Sequence, residues 1–357
     1  MMLERRLHEV RRHLDVSRLD ALLVSHNPHV RYLTGFSGSN GLVVITRQHQ
    51  HFLTDPRYRS QSRAEIEGYD IHVSSIGLLE EVGKLKLVRR AKRVGFESTH
   101  TTVDAHKKMK DLLAASILVA TKSFVERIAA VKDENEIGNI RGAIEATEKV
   151  FQKLLHLLKP GMTEQDVAAE IGYWHRRFGA EGDAFEPIVV SGIRGALPHG
   201  RASAKKIKRG EMVTLDFGCV LHGYCSDLTR TVAVGRPSPR AKKIYQIVLE
   251  AQTKAIDAVR PGAKASVLDQ IARNVISRKG FGKYFSHSLG HGLGIEIHEE
   301  LRLSAQSKET LKVGNVVTIE PGIYVPGFGG VRIEDDIVLR EGGCEVLTSA
   351  PKELIIL

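Results

Sequence analysis

The sequence predicts two domains: an α/β N-terminal domain, and a second α+β domain that combines long helices with glycine-punctuated strands. Three observations predict this. The chain has 357 residues, and a domain usually takes roughly 100–200. Helix-like and strand-like segments alternate over the first third, which is typical of an α/β layer. After Gly182 the pattern changes to short strands separated by glycines and interrupted by helices.

The N-terminal elements follow from hydrophobic periodicity and turn residues. The predicted helices are Leu3–Leu14, Arg57–Glu67, Leu78–Arg89 and Val103–Ala114. The predicted strands are Ala21–Ser25, Gly41–Thr46, Tyr69–Ser74, Val94–Glu97 and Ser116–Ala120. This alternation indicates a mainly parallel or mixed sheet. No GxGxxG motif opens a helix after a strand, so no dinucleotide site is predicted.

The second domain begins with a long helical pattern from Asp133 to Leu158, with an acidic start and a Lys-Pro-Gly stop. Thr163 is the predicted N-cap of the next helix, Val167–Phe178. Further helices are predicted at Arg240–Val259 and Val267–Lys279. We place the boundary near residues 121–131, which makes the domains residues 1–125 and 126–357.

Composition indicates an ordinary globular chain, with 42% hydrophobic and 26% charged residues. No apolar run is long enough for a bilayer span, and the charged start lacks a signal-peptide core, so we expect a cytoplasmic protein without a membrane partner. The net charge of +10 comes from scattered residues, and we do not expect nucleic acid to be the partner. Cys219, Cys225 and Cys344 are too few for a disulfide framework.

Two aspartates in the second domain flank a predicted hairpin. Asp216 and Asp227 lie in β-rich runs on either side of Leu221-His222-Gly223. A hairpin centred between Leu221 and His222 places the two carboxylates opposite one another, with Cβ atoms roughly 5 Å apart. Carboxylates at that distance repel unless a proton or a cation separates them. The pair is therefore a candidate metal site.

Two glutamates repeat this geometry near the C-terminus. A hairpin centred on Gly327 places Glu320 opposite Glu334. Exposed glutamates on a surface hairpin are the alternative, but the neighbouring Val317 and Ile333 suggest a largely buried sheet. Buried carboxylates need partners or metals.

Histidines form a third group of candidate residues. His287, His291 and His298 lie in a glycine-rich segment, which implies imidazoles presented where backbones pass closely. His199 lies in a turn-like segment suited to placing a side chain over a cleft. The HExxH pattern of helical zinc proteases is absent.

Four carboxylates and one imidazole make a ligand set rich in hard oxygen donors. Such a set suits Mn²⁺ or Co²⁺, or Zn²⁺ with bridging carboxylates. Four negative charges balance two divalent cations, so the charge count favours a two-metal site with ions about 3.5–4 Å apart and a shared water. That water would lose its proton near neutral pH and act as a nucleophile for hydrolysis.

At these residues the sequence resembles the pita-bread metallopeptidase family of Xaa-Pro dipeptidase (prolidase), Xaa-Pro aminopeptidase (aminopeptidase P) and methionine aminopeptidase. The segments that carry the resemblance are Leu-Asp216-Phe-Gly, Ser-Asp227-Leu-Thr-Arg-Thr, His-Ser-Leu-Gly-His291-Gly-Leu-Gly, Ile-Glu320-Pro-Gly-Ile-Tyr and Gly-Val-Arg-Ile-Glu334-Asp. The N-terminal segment from Asn27 to Ser39 is similar to the Xaa-Pro members, and methionine aminopeptidase lacks that domain. The implied fold is a creatinase/prolidase-like α/β domain followed by a pita-bread catalytic domain.

The resemblance implies a role for each site residue. The metal ligands would be Asp216, Asp227, His291, Glu320 and Glu334, with Asp227 and Glu334 bridging two ions. The catalytic residues would be His199, His298 and Glu320, and the substrate-side residues would be His287, Arg302, Tyr324 and Arg332. Many two-domain members are homodimers, so we expect one here.

We therefore expect hydrolysis of the peptide bond before proline, in a di- or oligopeptide, by attack of a metal-bridging hydroxide. Arg302 could bind a free carboxylate directly after proline, which would favour dipeptides, or it could be a surface arginine, so dipeptidase and aminopeptidase both remain open. The alternative from a different class is a catalytically inactive pita-bread binding module. Such a module would be expected to have lost ligands, whereas the matching positions here hold competent residues, which also disfavours a creatinase-like metal-free amidinohydrolase.

Overall fold

The computed structural model describes residues 2–357. The chain divides between Ala129 and Ala130 into two compact units, each of which has its own strands and helices. No helix in residues 2–357 is long and apolar enough to cross a membrane. The three cysteines are free thiols.

The first unit is a mixed sheet covered by helices. Its strands are β1 (Ala21–Val24), β2 (Gly41–Thr46), β3 (Gln50–Thr54), β4 (Asp70–Val73), β5 (Arg93–Glu97) and β6 (Ile117–Thr121). Its helices are α1 (Met2–Val16), α2 (Asn27–Thr34), α3 (Arg59–Glu65), α4 (Leu78–Lys84), α5 (Val103–Leu112) and α6 (Phe124–Ala129). The strand order is β4-β3-β2-β1-β5-β6, in which β2 is antiparallel to both neighbours and the other pairings are parallel.

The alternating α/β pattern predicted for this unit is confirmed, and each predicted strand is present within about two residues. Two differences have local causes. The helix predicted to reach Arg89 ends at Lys84, because the chain turns through Lys86 at a positive φ of 54°. α2, α6 and β3 were not predicted, since α2 and α6 span only eight and six residues and β3 begins with polar residues.

The second unit combines four long helices with short strands. The helices are α7 (Glu134–Leu157), α8 (Glu164–Arg177), α9 (Pro239–Asp257) and α10 (Ala265–Arg278), and they confirm the predictions. Its first strands are β7 (Gly182–Asp183), β8 (Ile188–Ser191), β9 (Glu211–Phe217), β10 (Cys219–Leu221), β11 (Tyr224–Cys225) and β12 (Leu228–Val234). The later strands are β13 (Gly290–Gly292), β14 (Glu299–Leu303), β15 (Val316–Ile319), β16 (Gly322–Val325), β17 (Gly329–Arg332), β18 (Asp335–Arg340) and β19 (Gly343–Val346).

Capping explains where two of these helices begin. The Asp133 carboxylate accepts from the backbone N–H of Glu136, whose side chain accepts from Asp133 in return. Thr163 and Asp166 make the same reciprocal pair at the start of α8. Each capping box satisfies two backbone donors that a helix N-terminus would otherwise leave unpaired.

Long helices pack against the sheets of the second unit. α9 and α10 bury apolar side chains against the sheet of order β14-β13-β15-β18-β19, and α7 and α8 pack against the sheet of order β12-β9-β8. The site described next lies where segments of these two sheets meet.

Candidate metal centre

The first hairpin carries Asp216 in β9 and leads to Asp227 just before β12. Its turn consists of His222 and Gly223, both with positive φ (50° and 79°), as a two-residue hairpin turn requires. The hairpin is therefore centred one residue later than the sequence predicted. Asp216 lies opposite Thr229, and the predicted direct pairing with Asp227 was wrong. Asp227 lies two residues before Thr229, and side chains alternate along a strand. Asp227 is therefore a diagonal neighbour of Asp216 on the same face of the sheet.

The second hairpin has the predicted register. β15 pairs with β18, and β16 with β17, and both ladders are centred on Gly327. Glu320 and Glu334 occupy facing positions between these two ladders, where the chain passes from one sheet to the other. The strand pairing on both sides therefore places Glu320 opposite Glu334, as the sequence predicted.

His291 lies in β13, on a backbone packed tightly against β15. A Cβ atom added at Gly290 would lie 2.0 Å from the carbonyl oxygen of Thr318, so only glycine fits there. The backbone N–H of His291 donates to the Thr318 hydroxyl at 3.2 Å. The glycine before the histidine therefore permits the close approach that was expected from the sequence.

The His291 imidazole faces the carboxylates through one nitrogen. Nδ1 lies 3.1 Å from the carbonyl oxygen of Gly292, which can only accept, so Nδ1 carries the proton. Nε2 is left with its lone pair, 3.6 Å from Asp227 Oδ2 and 3.5 Å from Glu320 Oε1. A metal-binding histidine is usually oriented in this way by a hydrogen bond to its other nitrogen.

The buried polar atoms of this cluster fit a cation. Asp227, His291 and Glu334 each offer a ligand atom within 4.8 Å of the others, and all three residues are buried. Among the described residues, Asp227 Oδ1, Glu334 Oε1 and Asp336 Oδ1 have no hydrogen-bond partner. Carboxylate oxygens left without donors in a buried site need a proton or a metal ion.

Burial and mutual repulsion disfavour the charged forms of these carboxylates. Burial, reinforced by the charge of Glu334, raises the pKa of Asp227 well above its ordinary value. The same two causes raise the pKa of Glu320. Burial raises the pKa of Glu334 to about 8, with the Asp216 charge contributing. In the absence of a cation, the cluster therefore holds protons near neutral pH.

We expect the metal-free protein to lose stability as the pH rises from about 5 to about 8. The ordinary pKa of a glutamate is 4.5 and that of folded Glu334 is about 8, so in this window the folded state keeps a proton that the unfolded state has released. Urea titrations of chelator-treated protein across this range measure the effect. Glu334→Gln should flatten the slope, and an unchanged midpoint in the parent protein would contradict the expectation.

A buried arginine supports the cluster from one side. Arg332 makes an ion pair with Asp216, donates to Thr229 Oγ1 at 3.1 Å, and donates to the Tyr324 hydroxyl at 2.7 Å. The Tyr324 hydroxyl in turn lies 2.8 Å from His287 Nε2. Burial raises the pKa of Tyr324 to about 12 and lowers that of His287 to about 3, so both are neutral at physiological pH.

Two supporting residues were missed from the sequence. The Thr229 hydroxyl donates to Glu334 Oε2 at 2.7 Å, and Asp336 Oδ2 accepts from the backbone N–H of Asp227 at 3.0 Å. Each lies two residues after a predicted ligand, so strand alternation places it on the ligand's face. That two-residue spacing from a predicted ligand is the signal that the sequence offers for both residues.

The remaining candidates line the open side of the site. His199, His298 and Arg302 are exposed, and Arg302 pairs with His291 in the ladder of β13 and β14. The His298 ring lies edge-on to that of His291, with centroids 4.4 Å apart. Burial, and then the charges of Arg302 and His199, lower the pKa of His298, so it is neutral at pH 7.

Comparison with known proteins agrees with this description. The profile of metallopeptidase family M24 matches residues 138–341, and that of the creatinase/prolidase N-terminal domain matches residues 6–131. The uncharacterized peptidase YqhT of Bacillus subtilis is 43% identical over 339 residues, covering 95% of this chain and 96% of that protein.

Two solved structures share the whole fold. The structure of an Xaa-Pro dipeptidase from Bacillus anthracis superimposes with a TM-score of 0.96 and 40% identity, covering 99% of this chain and 100% of that one. An X-Pro aminopeptidase from Thermotoga maritima gives a TM-score of 0.91 and 36% identity, covering 97% and 100%.

Fold and ligand set together define a metal-dependent peptidase with the pita-bread fold. The chain belongs to metallopeptidase family M24, preceded by a creatinase/prolidase N-terminal domain. The family implies divalent metal ions, in agreement with the unpartnered carboxylate oxygens of the cluster.

Proposed function

We propose that this protein is an Xaa-Pro peptidase that hydrolyses the peptide bond before proline at a two-metal site. The observation that carries the proposal is the convergence of Asp227, His291 and Glu334, whose ligand atoms lie within 4.8 Å of one another. Relatives named Xaa-Pro dipeptidase and X-Pro aminopeptidase, which share nearly the whole chain, support the choice of bond.

The proposed ligands are the five residues that meet between the two hairpins: Asp216, Asp227, His291, Glu320 and Glu334. Asp227 and Glu334 would hold both ions, since each is buried and retains an oxygen without a donor. Divalent cations bound there would polarise the scissile carbonyl and lower the pKa of water. The oxygen-rich set favours Mn²⁺ or Co²⁺, with Zn²⁺ also compatible.

We assign proton transfer to Glu320. Its side chain is 16% exposed, more than those of Asp227 (6%) and His291 (10%), so it can contact both the cluster and the substrate. A carboxylate in this position can take a proton from water and pass it on to the substrate. The receiving atom is the proline nitrogen, which lacks an N–H in the peptide and must gain a proton to leave.

His199 and His298 are the proposed carbonyl-side residues. Both are exposed at the open face, where a peptide would enter. Their ring N–H groups would donate to the scissile carbonyl oxygen and stabilise the negative charge that develops on it. His287, Tyr324 and Arg332 form the hydrogen-bonded chain described above and are proposed to shape the pocket.

The choice between dipeptidase and aminopeptidase depends on whether a positively charged side chain lies near the part of the substrate that follows proline. Arg302 is exposed and lies across the ladder from His291, so its guanidinium can reach past the catalytic face. A carboxylate that follows proline directly would make a charge-assisted contact there. We therefore propose a preference for Xaa-Pro dipeptides.

Replacing Arg302 by alanine should raise KM for an Xaa-Pro dipeptide by about tenfold, as expected for the loss of one charge-assisted hydrogen bond. The kcat should change little, because the residue binds the far end of the substrate. KM for an Xaa-Pro-Yaa tripeptide should stay nearly constant. Arg278→Ala, which removes an exposed arginine at the end of α10, is the matched control. If the KM values for both substrates change equally, Arg302 does not bind the carboxylate that follows proline and is a surface arginine.

The experiment that tests the whole proposal compares metal content with turnover. Chelator-treated protein should hydrolyse Xaa-Pro only after Mn²⁺ or Co²⁺ is restored, and activity should reach its maximum at two ions per chain. Less than one bound ion per chain after incubation with Mn²⁺ would favour the inactive binding module.

Homodimer formation stays a prediction from the family resemblance. Sedimentation equilibrium of the full chain tests it, and a mass of 39.5 kDa would show a monomer.

A further inference from the structure

Three histidines of the first unit converge where two parallel strands end. β1 and β5 are parallel neighbours in the sheet, so their carboxyl ends lie side by side. His26 follows β1 and directly precedes α2, His29 lies in the first turn of α2, and His100 follows β5. The carboxyl ends of parallel strands are the usual place for ligand sites in α/β folds.

The three imidazoles are in direct contact. His26 and His100 stack with ring centroids 3.6 Å apart, and His29 stands edge-on to both, at 4.7 and 5.4 Å. One ring nitrogen of each lies within 4.8 Å of those of the other two. Within residues 2–357, one other group of side chains brings three possible ligand atoms this close together, namely Asp227, His291 and Glu334.

A buried carboxylate orients the group. Glu97 is the last residue of β5, and it accepts hydrogen bonds from the backbone N–H groups of Ser25 (2.7 Å) and His26 (2.9 Å). Its other oxygen pairs with His29 Nδ1, which places the proton on Nδ1. The lone pair of His29 is therefore on Nε2, as in the carboxylate–histidine–metal arrangement of known sites.

We propose that His26, His29 and His100 bind a divalent transition-metal ion, Zn²⁺ by preference, and that Glu97 positions His29. Zinc is commonly bound by three imidazoles at about 2.0–2.1 Å, which places tetrahedral ligand nitrogens roughly 3.3 Å apart. The present separations are within 4.8 Å, so the rings need to move by little more than an ångström. His100 is exposed in a turn and can make that adjustment.

A candidate for the fourth ligand belongs to the same unit. Glu126 of α6 lies 3.6 Å from His100 Nε2, and its side chain is largely buried. The ligand set is then richer in imidazole than the carboxylate cluster of the second unit. Imidazole-rich sites favour Zn²⁺, whereas carboxylate-rich ones suit Mn²⁺, so the two sites should differ in metal preference.

Metal counting on the full-length chain tests the proposal. Chelator-treated protein is dialysed against Zn²⁺, and bound zinc is measured per chain in Asp227→Asn/Glu334→Gln, which disables the carboxylate cluster, with and without His100→Ala. We expect one zinc in the first variant and none in the second. Because catalytic activity is not the readout, the outcome does not depend on the proposed peptidase function.

The control uses another histidine group of the same unit. His51 and His72 lie 3.3 Å apart on β3 and β4 and are substituted together by glutamine, which should leave the zinc count unchanged. Glu97→Gln should weaken zinc binding by about 10–100-fold, as expected for a residue that orients a ligand.

Zinc should also raise the urea midpoint of the cluster-disabled protein but not that of its His100→Ala derivative. Because His100 is exposed, we expect this variant to fold, and far-UV circular dichroism verifies it. Equal zinc counts with and without His100, in folded proteins, would overturn the proposal.

Discussion

Replacing Glu334 by glutamine, or Asp227 by asparagine, is expected to lower turnover of an Xaa-Pro peptide by about a thousandfold or more. Each change keeps the side-chain shape and removes one negative charge from a buried cluster. The bound cations are expected to contribute several kcal/mol to the stabilisation of transition-state charge, and each 1.36 kcal/mol is a factor of ten in rate. Loss of either of these proposed ligands should remove most of that contribution.

Steady-state assays with saturating Mn²⁺ or Co²⁺, together with ion counts per chain, measure this effect. Glu341→Gln is the matched control, since it removes the same charge from an exposed position just after β18. The control should retain full activity. Substantial turnover by either cluster variant, at parental ion content, would contradict the assignment of the centre.

Replacing Arg230 by alanine is expected to destabilise the second unit by about 3–5 kcal/mol. The guanidinium is 1% exposed and donates to Asp335 Oδ1 at 2.8 Å. It also donates to backbone carbonyls, including those of Ala350 (2.7 Å) and Pro351 (2.9 Å). Its loss leaves Asp335 Oδ1 and several backbone carbonyls without this donor, although Gln252 and Lys352 still donate to the other oxygen, Asp335 Oδ2.

Urea unfolding followed by the fluorescence of Trp174 reports on this unit, because the chain has one tryptophan and it lies in α8. Arg340→Ala provides the comparison. Arg340 also makes ion pairs, with Glu134 and Glu345, but its side chain is 32% exposed, so the cost should be about 1 kcal/mol or less. Similar losses for both arginines would show that burial does not determine the effect.

Local chemistry was sufficient to predict the long elements. The capping residues Asp133 and Thr163 mark helix starts that the structure reproduces, and the register of the second hairpin follows from its centre at Gly327. The first hairpin differed by one residue at its centre. Its turn depends on positive φ at His222, which a histidine adopts less readily than glycine, so the sequence did not identify the turn position.

Contacts between distant segments could not be predicted in the same way. Asp336 meets the backbone of Asp227 across 109 residues, and Arg230 meets Asp335 across 105. The histidine group of the first unit is a similar case, because His26 and His100 become neighbours only through the pairing of β1 with β5. Periodicity describes an element and its faces, whereas these contacts depend on which strands lie side by side.

The backbone hydrogen bonds of the proposed ligand residues connect one segment of the cluster to the next. The N–H of Glu320 donates to Leu289, two residues before His291, and the N–H of Glu334 donates to Thr229, two residues after Asp227. A nascent chain that has emerged only as far as the first hairpin lacks every one of these cross-links. The carboxylate cluster can form only after residue 334 has left the ribosome, so the proposed metal ions would bind late in the biosynthesis of this protein.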